Sequence, residues 1–516
     1  MLEPAILDQL RVVFADLPTS LALSVRPSEH PAQGDLLALA EAVASASPRL
    51  AVRVEGAPTS GVELSIVRDG APTGVVFRGV PGGHELTSLV VAILHAAGKG
   101  RQPDDGVKAR IRALAGPAEV RTYVSLACTS CPDVVQAANL VALLHPSIGH
   151  TMIDGALAQD EIARLGIQGV PAVFVGDELV HSGKGTLLEI LAALEQKLGT
   201  APSSEPPAAA VADYDVVVIG GGPAGIAAAI YSARKGQRTA IVADRVGGQL
   251  QETVGIENMI GQTYTEGKRL AAELDAHVRA YRIDLLEHRR VARIERGARK
   301  ELVLDGGERL RADSVIVATG AKWRELEVPG EREYVGRGVA FCPHCDGPFY
   351  AGRPVAVIGG GNSGVEAALD LAGIVSHVTV VEYGDALRAD AVLVDKLRQR
   401  PNVAIVTGAR TTAIVGDGAK VTALEYEERA TGERVRLPLD GVFVQIGLVP
   451  NSGFLGDLVE RTARGEIVVD DRGRTSEPGV FAAGDVTTTP FKQIVIAVGE
   501  GAKVALAAFE ARTLGA

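Results

Sequence analysis

The stretches VVVIGGGPAG at residues 216–225 and VAVIGGGNSG at residues 355–364 share one pattern, which indicates the fold class of more than half of the chain. Each begins with an apolar run that predicts a buried strand, then passes through a GxGxxG turn into an alanine-rich helix. The glycines of such a turn let a phosphate approach the free N–H groups at the helix N-terminus. The repeated pattern therefore predicts two doubly wound α/β domains, each able to bind a dinucleotide.

The first turn is followed by an acidic residue at the expected distance. Asp244 ends the predicted strand RTAIVAD, about 20 residues beyond Gly222, where a carboxylate accepts a hydrogen bond from a ribose hydroxyl. A glycine turn alone can serve only to pack a helix, but strand, helix and acid together favour a dinucleotide site. The residues predicted to contact this dinucleotide are Gly220, Gly222, Pro223, Ala224, Gly225 and Asp244.

The second turn carries a signal for the type of nicotinamide dinucleotide. Its following strand, HVTVVE, ends in Glu382, whose carboxylate would accept from the adenosine 2′-hydroxyl and repel a 2′-phosphate. No basic residue follows before Arg388, so the pattern favours NADH over NADPH. The residues predicted to contact this dinucleotide are Gly359, Gly361, Asn362, Ser363, Gly364 and Glu382.

All four cysteines fall into two CxxC pairs, Cys128 with Cys131 and Cys342 with Cys345. In a reducing cytosol such pairs are metal ligands or redox dithiols rather than structural crosslinks. For zinc, the second pair and its neighbouring histidine supply at most three ligands, and a site shared by both pairs would immobilise the segment between them. Redox exchange needs only each pair and a proton donor, for which Asp346 is well placed. We therefore expect no metal site.

The bulk composition excludes several classes of function. A chain of 516 residues is too long for one core and predicts about three to five domains. No apolar run approaches the roughly 18–20 residues that span a bilayer, and the N-terminus has acidic residues where a secretory signal carries basic ones. The net charge of −11 argues against a nucleic-acid partner. We expect a cytoplasmic protein without a membrane or nucleic-acid partner.

A pattern of about 100 residues occurs twice in the first part of the chain. Residues 119–144 and residues 20–41 each read as a strand, a turn and a helix, and each is followed by two short strands and an apolar helix. In the first copy, Pro27 to His30 stand where the cysteines would be. The pattern predicts two fused thioredoxin-like units, although α/β units of similar size can also look alike without a true repeat.

A segment rich in alanine, proline and serine, residues 200–212, separates this part from the nucleotide-binding part and is predicted to be a linker. The predicted domains are a thioredoxin-like unit without cysteines (1–100), a thioredoxin-like unit with CxxC (101–199), the first part of an FAD domain (213–327), an NAD domain with CxxC (328–450) and the second part of the FAD domain (451–516).

The two turns, together with ATG at residues 318–320 and GVFAAGD at residues 479–485, resemble the pyridine nucleotide-disulfide reductases. The resemblance implies that FAD occupies the first site and the nicotinamide dinucleotide the second, after which the chain returns to complete the FAD domain. The further flavin contacts that it implies are Gly248, Gln249, Asn258, Thr319, Gly320, Gly484, Asp485, Lys492, Gln493 and Ile494.

The position of CPHCDG, just before the second nucleotide-binding strand, resembles the low-molecular-weight thioredoxin reductases. With the double thioredoxin-like N-terminus, the whole chain resembles the flavoprotein subunits of alkyl hydroperoxide reductase. The most specific motifs are CPHCDGP, GGGNSGVEAALDLAGIV, CPDVVQAANL and GVPAVFV.

This second resemblance implies an electron relay. NADH reduces FAD, FAD reduces Cys342–Cys345, that dithiol reduces Cys128–Cys131, and the last pair reduces a separate two-cysteine peroxiredoxin. Cys345 would face the flavin, Cys342 would attack outward and Asp346 would be the acid. The resemblance also implies a homodimer.

Further residues are implied at the N-terminal dithiol. We expect Cys128 at the start of a helix, where the helix dipole lowers the thiol pKa, and Cys131 to resolve the mixed disulfide. Pro171 matches the cis-proline loop of thioredoxin folds, although a plain strand-end proline is the alternative. Glu85 matches an acid that the family keeps near this dithiol, although an exposed glutamate at a helix start is the alternative. The family often has a histidine between these cysteines, where this chain has Thr129 and Ser130.

Two other functions fit the same residues. One is a thioredoxin reductase-like enzyme or NADH oxidase that reduces another disulfide or oxygen. The other is a redox sensor that binds dinucleotide without turnover, for which two complete dithiols and Asp346 are more than is needed.

Overall fold

The computed structural model describes residues 2–128, 130–167, 169–200, 211–253, 255–341 and 343–514. The chain divides into two compact units, and the main change from one unit to the other falls between residues 210 and 211, while the short segment Glu287–Arg289 groups with the first unit. None of the helices in the described ranges has the length and apolar character that crossing a membrane requires.

The first unit is built on one eight-stranded sheet with the order β2-β1-β3-β4-β6-β5-β7-β8. Its strands are β1 Leu21–Val25, β2 Leu50–Val54, β3 Glu63–Arg68, β4 Ala71–Arg78, β5 Ala118–Val124, β6 Ile148–Asp154, β7 Ala172–Val175 and β8 Glu178–Ser182. Each half has one parallel pair followed by an antiparallel hairpin, in the same order. Parallel pairing of β4 with β6 joins the halves into a single sheet. The two fused thioredoxin-like units predicted from the sequence are confirmed.

The helices of this unit cover the sheet and join the two cores. They are α1 Pro4–Val13, α2 Gln33–Ala44, α3 Leu86–Ala96, α4 Asp105–Ala113, α5 Cys131–Leu144, α6 Gln159–Leu165 and α7 Leu187–Leu198. The apolar core of the first half includes Cys131, Val135 and Met152 from the second half. Helix α5 is buried on almost every side, because its other face packs in the core of the second half.

The strands of the second unit form two main sheets, the first mixed and the second parallel, and smaller ladders. They are β9 Ala212–Ile219, β10 Thr239–Ala243, β11 Gly255–Ile256, β12 Thr265–Glu266, β13 Ile283–Glu287, β14 Val291–Glu295, β15 Lys300–Leu304, β16 Arg309–Val317, β17 Ala321–Trp323, β18 Val339–Ala340, β19 Pro354–Ile358, β20 His377–Val381, β21 Val403–Val406, β22 Ala409–Gly416, β23 Val421–Glu428, β24 Arg434–Pro438, β25 Gly441–Val444, β26 Leu448–Pro450 and β27 Val480–Ala482. Its helices are α8 Pro223–Arg234, α9 Gly267–Arg279, α10 Pro343–Asp346, α11 Asn362–Ala372, α12 Ala391–Arg398 and α13 Ile494–Leu514.

The first main sheet has the order β13-β10-β9-β16-β15-β14, with β27 beside β16. Strands β10, β9, β16 and β27 are parallel neighbours, and apolar cores cover both faces of the sheet. Helix α13, from the end of the chain, packs against α8. The last segment of the chain thus completes the sheet that residue 212 begins, as a doubly wound fold requires.

The second main sheet is wholly parallel, with the order β18-β25-β19-β20-β21, and an antiparallel ladder β22-β23-β24 lies beside it. The chain enters and leaves this domain through the antiparallel pair β17 and β26. The predicted fold class, thioredoxin-like units followed by two Rossmann-like domains, is confirmed.

One boundary of the predicted linker differs in the structure. Strand β9 begins at Ala212, inside the predicted linker of residues 200–212, because Ala212 pairs in register with Leu310 of β16. An alanine in an Ala/Pro-rich segment gives no strand signal of its own, so this pairing was not visible locally. Residues 201–210 of the linker lie outside the described residues.

Replacing Phe77 by alanine should destabilise the first unit by about 3–5 kcal/mol, because this fully buried ring lies on β4 at the junction of the two halves. Urea denaturation of the full chain, followed by far-UV circular dichroism, measures the loss. Val12→Ala is the matched control, since Val12 is 76% exposed and its loss should change stability by less than about 0.5 kcal/mol. Equal midpoints for the two variants would contradict the proposed role of this junction.

Candidate functional site

The first glycine-rich turn joins β9 to α8 and leaves no space for a side chain at Gly220 or Gly225. Gly220 has φ +117°, and a Cβ there would clash with the carbonyl of Ala318. A Cβ on Gly225 would likewise clash with the carbonyl of Gly220, so the helix lies directly on the turn. Gly222 is the N-cap of α8 and Pro223 is its first residue. The free N–H groups of this helix end therefore face the place where a pyrophosphate would bind.

The residues predicted to hold FAD lie at one edge of the first main sheet. Gly220 follows β9, Asp244 follows β10, Thr319 follows β16 by two residues, and Gly484 follows β27 by two residues. The four strands are parallel, so their carboxyl ends share this edge. Such an edge is where open α/β sheets bind their ligands. The arrangement fits a long dinucleotide such as FAD.

Hydrogen bonds fasten the loops of this edge to one another. Thr319 Oγ1 donates to the carbonyl of Asn451 at 2.7 Å, and Asn451 Nδ2 donates to the carbonyl of Thr319 at 2.9 Å. The amide of Asn451 also donates to the carbonyl of Gly320 at 2.9 Å. Asn258 Nδ2 donates to Gln493 Oε1 at 3.0 Å, so two segments far apart in sequence meet here.

Two predicted flavin contacts have polar partners that the sequence did not indicate. Arg290 donates to Asp244 Oδ2 at 2.8 Å, so the predicted ribose acid also belongs to an ion pair. Gln249, in the 3-10 turn Gly248–Glu252, donates its side-chain amide to the carbonyl of Ala321 at the start of β17. These contacts position both side chains from neighbouring strands.

Asp485 and Lys492 lie on one loop between β27 and α13. Burial raises the pKa of Asp485, while the positive charge of Lys492 opposes that shift. Lys492 Nζ donates to the carbonyls of Thr487 at 2.5 Å and Thr489 at 2.7 Å, which closes the loop on itself. Ile494 follows directly and begins α13.

Glu500 is a residue of this site that the sequence did not reveal. It lies on α13 with 9% of its surface exposed, and its carboxylate accepts from the amide of Gly484 at 3.1 Å and from Thr489 Oγ1 at 3.0 Å. It therefore holds both ends of the loop that carries Asp485. The local signal is an acid within the segment IVIAVGEGAKVALAAF, which is small and apolar apart from Glu500 and Lys503.

The second glycine-rich turn repeats this geometry between β19 and α11. Gly359 has φ +119°, and a Cβ there would clash with the carbonyl of Gln445. Gly361 is the N-cap of α11. Asn362 Nδ2 donates to Asp390 at 3.1 Å, and the amide of Asp390 donates to Asn362 Oδ1 at 2.8 Å, which ties the loop after β20 to the helix start. Ser363 is exposed in the first turn and Gly364 is buried against Gly359.

Glu382 follows β20 and is only 3% exposed. The amide of Gly360 donates to its Oε2 at 2.6 Å, and the amide of Gly384 donates to its Oε1 at 2.7 Å. The carboxylate is thus fixed beside the glycine turn with acceptor capacity left over, which fits a bound ribose hydroxyl.

The N-terminal dithiol is a disulfide between Cys128 and Cys131 in the structure, with a Cα–Cα distance of 5.5 Å. Cys131 is fully buried, whereas Cys128 is partly exposed. The expectation that Cys128 starts the helix is wrong, because α5 begins at Cys131. The amide of Cys131 nevertheless donates to Cys128 Sγ at 3.1 Å, so the helix start still contacts this sulfur. The carbonyl of Val170 lies 4.0 Å from Cys128 Sγ, and the Val170–Pro171 peptide bond is cis.

Glu85 is fully buried, so its alternative interpretation as an exposed helix-start residue is wrong. It ends the 3-10 turn Gly83–Glu85, which the chain anchors beside the dithiol turn through a bond from the His84 amide to the Leu126 carbonyl at 3.1 Å. Burial raises the pKa of Glu85 to about 7, with a small further rise from Asp133 in the first turn of α5. The nearby Ser88 hydroxyl lowers the pKa of Glu85, although neither carboxyl oxygen has a partner at full hydrogen-bond geometry among the described residues.

The second dithiol is only partly described. Cys342 and the side chain of Cys345 lie outside the described residues, and their predicted roles stay predictions. The backbone of Cys345 and Asp346 lies in the short helix α10. A Cβ on Gly255 would lie 3.1 Å from Phe349 Cζ, so the segment just after α10 lies beside β11.

Comparison with known proteins assigns the chain to a family. A family model described as pyridine nucleotide-disulphide oxidoreductase matches residues 214–501, and one described as thioredoxin domain matches residues 118–196. An alkyl hydroperoxide reductase subunit of Pseudomonas putida is 48% identical over 99% of this chain and 98% of its own length. The chain belongs to the family of alkyl hydroperoxide reductase flavoprotein subunits. Within that family it is an FAD-dependent NADH:disulfide oxidoreductase.

Two further similar proteins differ from the Pseudomonas putida relative, one in its name and the other in the share of this chain that it covers. A protein of Bacillus subtilis with the name NADH dehydrogenase is 46% identical over 99% of both chains. A thioredoxin reductase from Streptococcus pyogenes has a solved structure that superposes with a TM-score of 0.55 and 37% identity, covering 98% of that chain but 58% of this one. The full-length relatives extend over the first unit as well, so the family includes the double thioredoxin-like unit.

Replacing Glu85 by glutamine should remove a pH-dependent loss of stability. The folded protein holds the Glu85 proton more tightly than the unfolded chain, since its pKa is raised from 4.5 to about 7. Stability from this group is complete below pH 4.5 and is lost as the pH rises through about 7, by up to about 3 kcal/mol.

Urea denaturation at pH 5 and pH 8.5 tests this expectation. The wild type should weaken relative to Glu85→Gln at the higher pH, while Glu55→Gln, at an exposed position, should follow the wild type. A constant difference between wild type and Glu85→Gln at both pH values would contradict the raised pKa.

Replacing Glu500 by alanine should weaken FAD binding by about tenfold, because the loop of Gly484 and Asp485 loses both acceptors that hold it. Glu500→Gln keeps an acceptor oxygen and should retain most of the affinity. Equilibrium dialysis with FAD fluorescence measures the change. Glu510→Ala on the same helix is the control, since that side chain is 52% exposed, and equal losses in both alanine variants would refute the role of Glu500.

Proposed function

We propose that this chain passes electrons from NADH through FAD and its two dithiols to a separate two-cysteine peroxiredoxin, and so supports the removal of peroxides. The observation that carries the proposal is the disulfide Cys128–Cys131, whose Cys128 is partly exposed, on a thioredoxin-like unit of the same chain as the nucleotide-binding domains. An enzyme that carries its own thioredoxin-like unit has no need of an external thioredoxin. Its full-length relatives in two species of Pseudomonas are named as subunits of alkyl hydroperoxide reductase.

The residues at the two glycine-rich turns would hold the dinucleotides. FAD, when bound, accepts a hydride from NADH and supplies two electrons for the reduction of a disulfide. The free N–H groups at the starts of α8 and α11 would bind the pyrophosphates, and Glu382 would accept from the adenosine ribose. Asp485 would lie against the flavin side of the first site.

The dithiols would exchange electrons by thiolate attack. During reduction of Cys342–Cys345, Asp346 would give its proton to the departing thiolate. The Cys342 thiolate would then attack Cys128, and Cys131 would leave as a thiolate. Cys345 would next displace Cys128 from the mixed disulfide, which leaves Cys128 and Cys131 reduced and re-forms Cys342–Cys345.

Glu85 is suited to exchange a proton with the Cys131 thiolate. Both side chains are fully buried, Cys131 as the first residue of α5 and Glu85 in the 3-10 turn that packs against α5. A carboxyl with a pKa of about 7 is protonated and ionised in similar amounts at neutral pH, so it could give a proton to the Cys131 thiolate and take it back. Pro171 would border the partner's disulfide beside Cys128.

The exposed sulfur sets the direction of the last step. Cys128 is the sulfur that a partner can reach, so its thiolate would attack the peroxiredoxin disulfide, and buried Cys131 would resolve the mixed disulfide. Ser130 Oγ lies 3.5 Å from Cys128 Sγ, where a hydroxyl can donate to a thiolate. We further place the enzyme in the cytoplasm as a homodimer.

A second candidate function is NADH oxidation with another disulfide or oxygen as the acceptor. The observation in its favour is the full-length relative with the name NADH dehydrogenase. A dinucleotide-binding sensor without turnover is the remaining alternative, and steady NADH consumption with a disulfide acceptor would exclude it.

Replacing Cys128 by serine should abolish peroxide-linked turnover, with a loss of about 100-fold or more, because the attacking thiolate is removed. The measurement is NADH oxidation with hydrogen peroxide and a two-cysteine peroxiredoxin, with and without oxygen. Reduction of ferricyanide should persist in Cys128→Ser, since that acceptor can take electrons before the N-terminal dithiol.

Val12→Ala serves as the control for handling and folding. NADH oxidation that depends on neither the peroxiredoxin nor Cys128 would refute the relay. It would indicate an oxidase or another acceptor instead.

A further inference from the structure

The loop after β20 folds back and places Arg388 against Glu382. The amide of Arg388 donates to the carbonyl of Gly360 at 2.8 Å, and its Nη2 lies 3.3 Å from Glu382 Oε1. The arginine side chain is 78% exposed, whereas the glutamate side chain is 3% exposed. Arg388 lies six residues after Glu382 in the sequence, but in the structure its guanidinium is adjacent to the Glu382 carboxylate.

Arg388 is not needed to hold Glu382 in place. Backbone N–H groups of Gly360 and Gly384 bind one carboxylate oxygen each, at 2.6 and 2.7 Å. Both are shorter than the contact from Arg388, and neither depends on a side chain. Removing the guanidinium should therefore leave the carboxylate in position, and Oε2 keeps a lone pair for a ribose hydroxyl.

The other charged side chains of this loop have partners that fix the loop. Asp390 is joined to Asn362 by two hydrogen bonds. Asp385 pairs with Arg429 at 3.2 Å, and Arg429 also donates to the carbonyl of Tyr383 at 3.1 Å and stacks over its ring. The position of Arg388 is thus set by a fastened loop.

We propose that Arg388 is a specificity-determining residue that binds a 2′-phosphate and so lets the second dinucleotide site accept NADPH as a weaker alternative to NADH. The proposal rests on the proposed NADH site at the second glycine-rich turn. A fixed carboxylate alone would repel the doubly charged phosphate strongly in a partly buried site. A guanidinium beside it offsets that repulsion and offers paired donors to the phosphate oxygens, while the exposed side chain can turn toward the ligand.

The test is isothermal titration calorimetry of the holoenzyme with two probes, ADP and adenosine 2′,5′-bisphosphate, at low salt. Arg388→Ala should weaken binding of the 2′-phosphorylated probe by about tenfold and change ADP binding by no more than about twofold. Glu382→Gln should strengthen binding of the 2′-phosphorylated probe by about tenfold, and the double variant should lose that gain. Arg398→Ala is the matched control, since Arg398 is also an exposed cation of the same domain, at 67%.

The possible outcomes separate the two proposals. An unchanged ratio of the two affinities in Arg388→Ala, or equal weakening of both probes, would overturn the role of Arg388 while leaving the NADH site intact. No binding of ADP or NADH to the wild type would overturn the site itself and the role of Arg388 with it. Loss of the effect of Arg388→Ala at high salt would support the electrostatic origin.

Discussion

Much of this enzyme depends on one constraint, which is the close approach of a helix start to the strand before it. At Gly220 with Gly225, and again at Gly359 with Gly364, any side chain would clash with a backbone carbonyl. Because glycine allows this close approach, each helix begins directly after its strand, and the free N–H groups at the starts of α8 and α11 stay open to a ligand. The parallel strands beside each turn then deliver the remaining contacts to the same edge, so the chemistry follows from backbone packing.

The features visible in the sequence were those with a short repeat or a fixed spacing. The two glycine turns, the acids after the following strands and the paired CxxC motifs each lie within a few tens of residues, and apolar periodicity placed the strands and helices around them. The duplicated first unit was visible for the same reason, since strand, helix and hairpin recur in one order.

The features that the sequence hid depend on contacts between distant segments. Glu85 is buried because a turn of the first half meets the dithiol turn of the second, and no local pattern distinguishes it from an exposed acid. Glu500 belongs to the predicted FAD site because α13 packs beside the loop after β27, where the Glu500 carboxylate accepts from the amide of Gly484. Arg388 has no predicted role in the sequence because it lies several residues after Glu382, but the folded loop brings the two side chains together. Ala212 entered a strand only through its partner in β16.

The continuous sheet of the first unit gives the half without cysteines an unexpected importance. A duplicated copy without reactive residues would usually be free to change in sequence, or to be deleted, during evolution. Here Cys131 lies in the apolar core of that copy, and Glu85 comes from its own turn. The half without cysteines therefore forms part of the surroundings of the buried cysteine. Substitutions in this half should therefore change the redox behaviour of the Cys128–Cys131 pair, although the half contains no catalytic motif of its own.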